Sequence, residues 1–183
     1  EMCIRDRWYF TYQGNWKVFV NYKIKNISKE NFKNYGDLIT TSNKNYESIN
    51  KDTTDSFFDL ANIQIIGDDK RSRLNIFQAK KRNFPLKINM LENHPFSSQV
   101  FLPFNATGFL VLVAPIGNKP KIDLIEIFKV SGGDGINFNP KVWHFPLISL
   151  ENEKYITIDK KDADNNIEIY NFEQSEIFEL NYE

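Results

Sequence analysis

Histidine is the side chain whose ordinary pKa lets it move protons or ligate a metal near neutral pH, and this chain of 183 residues has two, His94 and His144. Their settings are alike. His94 stands in Leu91-Glu92-Asn93-His94-Pro95-Phe96-Ser97-Ser98-Gln99-Val100-Phe101-Leu102-Pro103, a turn that leads into an apolar strand. His144 lies near the end of a stretch from Ser131 to Leu147 that opens on Gly132-Gly133, bends again from Asn137 to Pro140 and finishes as a short aromatic strand. Residues without a β-carbon let such a turn reverse tightly. Alternation across a strand sends Trp143 and Phe145 one way and His144 the other. The two imidazoles therefore make one candidate site. The competing reading is a pair of core histidines satisfied by hydrogen bonds.

The elements that must position them are strands. Ser28 is a good helix N-cap, with Ile27 and Phe32 at staple positions and Gly36 as a left-handed stop, which predicts one short helix, Lys29 to Tyr35. Leu38 to Thr41 reads as a brief strand, and the polar stretch Ser42 to Thr54 as a loop. From there the pattern is short runs rich in Ile, Val, Phe and Tyr: 62–66, 73–79, 86–91, 99–104, 109–114, 124–130, 142–150, 155–159 and 167–172. Turn residues separate them at roughly 8 to 12 positions, the spacing of an antiparallel sandwich or barrel and not of βαβ units. Residues 1–23 carry many aromatics, with one strand readable over 16–22; they read as an N-terminal extension, and 24–183 as a single domain.

The totals exclude several function classes. Lys and Arg number 23 against 24 Asp and Glu, so no net field draws the protein to nucleic acid or anionic membrane. The basic cluster Lys80-Lys81-Arg82 reads as a solvated turn. A single cysteine, Cys3, supports no disulfide framework and fits a reducing cytoplasm. No apolar run approaches the roughly 18 residues of a membrane span, and the charged first residues do not read as a signal peptide.

Several blocks carry a family resemblance. Phe32-Lys33-Asn34-Tyr35-Gly36-Asp37 is similar to an opening F-x-x-Y-G-D, and Ile49-Asn50 with Asp59-Leu60-Ala61 to the block that follows. Leu91 to Pro103 is close to L-E-R-H-P-x-x-x-Q-x-F-I-P, Phe109 to Pro115 to the next strand, Gly135 to Leu147 to G-V-N-Y-H-x-x-V-W-H-H-P-L, and Thr157 to Lys160 to T-I-D-R. In that order, from Ile24 to Phe172, the chain resembles the ureidoglycolate lyase family, whose fold is a cupin-type jelly roll. It departs from the family at Phe138-Asn139, where Tyr-His is usual, at Phe145, where a second histidine is usual, and at Gln78 and Lys160, where arginine is usual.

The resemblance implies an all-β, cupin-like jelly-roll sandwich or barrel with one short helix, and a lyase that expels urea from ureidoglycolate to leave glyoxylate. That reaction needs a base for the hydroxyl, an acid for the departing nitrogen and a cation for the carboxylate. It further implies His94, Gln99 and His144 as ligands of a divalent metal, nickel by family association, since imidazole suits such ions. His144, His94 and Asp59 become the candidate acid-base groups, and Asn50, Gln78, Gln99 and Lys160 the substrate contacts. A homodimer paired through a sheet edge is the expectation by analogy. A non-catalytic cupin that binds a small hydroxy acid, or a cupin isomerase or epimerase, are the alternatives.

Overall fold

The computed structural model describes residues 7–12, 15–20, 22–161 and 165–182, and most of their regular structure is extended. β1 (Arg7–Tyr12) and β2 (Asn15–Val20) pair with each other, Arg7 opposite Val20, as a two-stranded sheet of their own. β3 (Ile24–Asn26) then joins the main body. Ser28 caps α1 (Lys29–Phe32) reciprocally: its hydroxyl accepts from the Asn31 amide while the Asn31 side-chain oxygen accepts from the Ser28 amide. The helix stops three residues before the expected end because the Tyr35 amide closes a tighter bond, 2.8 Å, onto the Phe32 carbonyl.

Gly36 does not act as a left-handed stop. It opens β4 (Gly36–Ile39), and a β-carbon there would lie 1.9 Å from the Asn137 carbonyl oxygen, so only glycine lets the two backbones meet. Within the stretch expected to be loop, β5 (Glu47–Ile49) and β6 (Thr54–Ser56) form an exposed hairpin whose tip, Asn50 to Asp52, runs at positive φ. The strand expected over 62–66 is instead a loop. Two of its amides go to side chains, Asn62 to the Asp37 carboxylate and Gln64 to the Ser98 hydroxyl, while the Ile66 amide donates to the Phe96 carbonyl and one isolated bridge joins Ile65 and Ser97.

The remaining strands are β7 (Ser72–Ala79), β8 (Leu86–Ile88), β9 (Met90–Asn93), β10 (Gln99–Pro103), β11 (Phe109–Ala114), β12 (Glu126–Val130), β13 (Gly135–Phe138), β14 (Trp143–His144), β15 (Ile148–Ser149), β16 (Glu153–Lys160), β17 (Glu168–Asn171) and β18 (Phe178–Leu180). A 3₁₀ turn, Ile122–Leu124, takes the first residue of the strand expected over 124–130. The run expected over 142–150 is broken into β14 and β15, both of which pair with β11.

One sheet has the order β4-β13-β10-β16-β7; the other has β17-β9-β14-β11-β12-β3, with β15 also on β11. The sheets stay open, so of sandwich and barrel the chain builds the sandwich, the cupin-like architecture. Between the sheets lie Phe32, Phe101, Phe109, Phe128, Phe138 and Tyr155. On the far side of the larger sheet a second cluster gathers Leu91, Leu110, Leu112, Ile127 and Trp143 under Phe172 and Phe178. This explains why β11 is one unbroken apolar run: all six of its residues are buried, because both of its faces are covered. Among the described residues no helix is long and apolar enough to cross a membrane.

A buried carboxylate ties the loop after β10 to the sandwich. Glu153 is 3% exposed and accepts from Asn105 Nδ2, Thr107 Oγ1 and the Lys154 amide. Burial alone would raise its pKa, but these donors outweigh it and hold the pKa below the ordinary 4.5. A depressed carboxyl pKa adds stability that is present above the unfolded value and lost as pH falls through the folded one. Glu153→Gln should therefore lower stability by roughly 1–3 kcal/mol at neutral pH. The gap in thermal midpoint between the variant and the parent should close as the buffer is taken below about pH 4.5; a gap that does not change with pH would refute the assignment.

Candidate metal centre

His144 sits on β14, opposite Val113 of β11 and Glu92 of β9. Alternation turns Trp143 to the outer cluster and His144 inward between the sheets, where its ring stacks on Phe138 at 4.2 Å and 14°. His94 follows β9, two residues after Glu92, and its ring lies 5.3 Å from that of His144. The structure thus brings together the two histidines that the sequence put 50 residues apart.

Each imidazole is fixed by a main-chain carbonyl. His94 Nδ1 lies 2.6 Å from the Asn166 carbonyl oxygen and His144 Nδ1 lies 2.9 Å from that of Val142. A carbonyl only accepts, so both Nδ1 atoms carry the proton and both Nε2 atoms present a lone pair. Those two Nε2 atoms are buried with no hydrogen-bond partner, and so is Gln99 Oε1. Glu92 adds a carboxylate whose Oε1 lies 3.7 Å from His144 Nε2. One ligand atom from each of Glu92, His94 and His144 falls within 4.8 Å of the others. Leaving several buried acceptors without a donor is costly; a cation satisfies all of them at once, and the nitrogen-oxygen set suits a divalent transition metal.

The electrostatics agree with neutral rings. Burial pushes His144 down to about 3, with His94 adding to the effect and the Val142 carbonyl opposing it. Burial also lowers His94, against the Asn166 carbonyl, Asp159 and Gln99, which pull it back up. Burial raises the Glu92 carboxyl, making it a stronger base than a surface carboxylate. Beside this cluster a cavity is lined by Phe101, Ile136, Phe138, Phe145 and Leu147, so the site is apolar apart from its donors.

Of the residues singled out from sequence, His94, Gln99 and His144 converge. The others stand elsewhere. Asn50 is exposed at the tip of the β5–β6 hairpin, and Asp59 is exposed on the loop after β6 with φ 52°. Gln78 is exposed on β7 opposite Lys154. Lys160 directs its ammonium to the Ile66 and Asp69 carbonyls. Asp159, its neighbour in sequence, is 4% exposed and paired with Arg73. Two members of the site escaped the sequence reading. Glu92 was legible as a carboxylate two residues before His94. Asn166 had no local signal, since its carbonyl reaches His94 across 72 positions; its side chain is pinned to Ser97 Oγ and the Phe96 amide.

Comparison with known proteins adds identity. Residues 20–179 match the model of the family described as ureidoglycolate lyase. The ureidoglycolate lyase of Pseudomonas aeruginosa (strain PAO1) is 35% identical over 155 residues, 84% of this chain and 92% of that protein. That of Pseudomonas putida (strain KT2440) is 32% identical over 159 residues, 86% of this chain and 95% of its relative.

Proposed function

The chain belongs to the ureidoglycolate lyase family, and on that premise we propose that it is a lyase that eliminates urea from ureidoglycolate to release glyoxylate. The observation that carries the reading is the set of converging acceptors without donors, His94 Nε2, His144 Nε2 and Gln99 Oε1 with the Glu92 carboxylate, in a buried cleft. A divalent ion held by His94, His144, Glu92 and Gln99, nickel by family association, would acidify the substrate hydroxyl and neutralise the carboxylate.

The chain's own residues do the rest. Asn166 and Val142 lock both imidazoles in the Nδ1–H form, so their Nε2 lone pairs are left to the ion. One carboxylate oxygen of Glu92 would hold the ion, and the other takes the hydroxyl proton and returns it to the departing urea nitrogen as the carbon–nitrogen bond breaks. Phe138 and Phe145 keep competing water away from the cleft. Atoms balance without water: one proton moves from oxygen to nitrogen, and the carbonyl forms as the amine leaves.

The same reading extends to assembly and compartment. Two copies would pair through β7, the end strand of its sheet, which exposes Leu74 at 65% and Ile76 at 58%. The single Cys3 suits a reducing cytoplasm. Residues 24–183 form the catalytic domain, with 1–23 as an extension. The test is direct: purified protein supplied with divalent metal should release glyoxylate and urea from ureidoglycolate in equal amounts, above the spontaneous rate. A rate equal to the blank with each of nickel, manganese and zinc would end the proposal.

A further inference from the structure

The strand expected over 142–150 breaks immediately after His144, and the register defines the break. Val113 stands opposite His144, and Leu110 stands opposite Ile148. Between those pairs Phe145, Pro146 and Leu147 face only Val111 and Leu112, so this side of the ladder carries one extra residue, a β-bulge. The Phe145 amide still donates to the Leu112 carbonyl at 3.0 Å, but Pro146 has no amide to give. Under the bulge the two sheets enclose a cavity of about 20 Å³. Val111 forms its floor, Ile136 and Phe138 of the facing sheet its roof, and half-buried Leu147 its mouth. The polar side chains in its wall are Glu92 and His144.

Glu92 and His144 thus belong both to the acceptors that would hold the ion and to the wall of the cavity. His94 and Gln99 are not part of that wall, so the cavity lies to one side of the ligand set. Its volume admits one water-sized group. A buried water needs about two to four polar partners, and here it would have to compete with the ion for Glu92 and His144. An apolar group fits without that cost. From the bulge and the cavity we infer that the site accepts a methyl group on the carbon that bears the hydroxyl, and so takes 2-hydroxy acids of the lactate kind in preference to glycolate. The inference rests on the lyase reading for the way the acid is held, with hydroxyl and carboxylate on the ion. That chelate fixes two of the four substituents of the carbon, and one of the other two turns toward the cavity. The preference is therefore for one enantiomer. The matching substrate is the urea adduct of a three-carbon 2-oxo acid. Its elimination balances as before: the hydroxyl proton passes to the urea nitrogen, the carbon–nitrogen bond breaks and a ketone forms.

The test is titration calorimetry on the nickel-loaded full chain, with glycolate and the two enantiomers of lactate as probes. One enantiomer should bind roughly fourfold more tightly than glycolate, the gain for burying one carbon, and the other no more tightly than glycolate. Val111→Ile adds a methyl group from the floor, and Leu147→Phe fills the cavity from its mouth. Each should bring the ratio of the favoured enantiomer to glycolate back toward one. Leu147 is half-buried, so Leu147→Phe carries the comparison if the overpacked Val111→Ile does not fold. A general gain from hydrophobicity would raise both enantiomers alike and persist in both variants, and that result overturns the inference. A parent that binds none of the three acids, or that prefers neither enantiomer to glycolate, overturns it too. Turnover is scored separately: a chain that releases no glyoxylate or urea yet keeps the enantiomer preference loses the lyase reading and retains the cavity assignment.

Discussion

His144→Ala should bring the release of glyoxylate to within error of the uncatalysed blank, a loss of about 10²-fold or more. No other side chain joins so many parts of the site. The ring is 2% exposed, stacked on Phe138, held at Nδ1 by Val142 and aimed at Nε2 toward Glu92 and His94. Alanine removes a ligand and opens a void the size of an imidazole. His144→Asn separates the two effects, because its amide can donate to the Val142 carbonyl but puts no nitrogen where Nε2 was. Both variants should be inactive, and His144→Asn should unfold nearer to the parent temperature. Retention of more than a tenth of the parent rate by a folded His144→Asn would show that Nε2 takes no part.

The second large effect is on metal content. The parent should bind one divalent ion per chain, and that ion should raise its stability by about 2.7 kcal/mol when present at a hundred times its dissociation constant. Glu92→Ala and His94→Ala should each weaken binding by at least about tenfold. Glu92→Gln is the sharper variant: it keeps the shape of the side chain and removes the anion, so loss of metal there reports charge and not packing. Metal analysis after dialysis, with titration calorimetry on the stripped protein, measures both. Equal metal content in parent and Glu92→Gln would exclude the carboxylate from the ligand set and leave two imidazoles and an amide.

Much of this was readable in the sequence, and what was not has physical reasons. Alternating or unbroken apolar runs marked β7, β10, β11, β16 and β17 within a few residues, because the period of a strand is imposed by burial. The meeting of His94 and His144 was legible because both adjoin strands of that kind. β13 was missed: Asn137 to Pro140 reads as a bend, yet Gly135-Ile136-Asn137-Phe138 is a strand and all four of its residues are buried. Its glycine is required by contact, since a β-carbon at Gly135 would lie 2.6 Å from the Phe101 carbonyl oxygen. The loop over 62–66 was taken for a strand because its apolar side chains resemble one, while two of its amides, Asn62 and Gln64, find side-chain partners that no local pattern reveals. The ion pair between Arg73 and buried Asp159 could not be read at all. It depends on which residue of β16 stands opposite Arg73, and a register is a property of two segments 86 positions apart.

The carbonyls of Asn166 and Val142 that orient the two imidazoles belong to the main chain, and this bears on how the protein tolerates change. Every amino acid brings the same carbonyl, so drift at either position leaves the tautomers untouched as long as the path of the backbone holds. Inheritance of the catalytic geometry is thereby entrusted to the course of the loops, and lineages can exchange the surrounding side chains while their imidazoles keep pointing the same way.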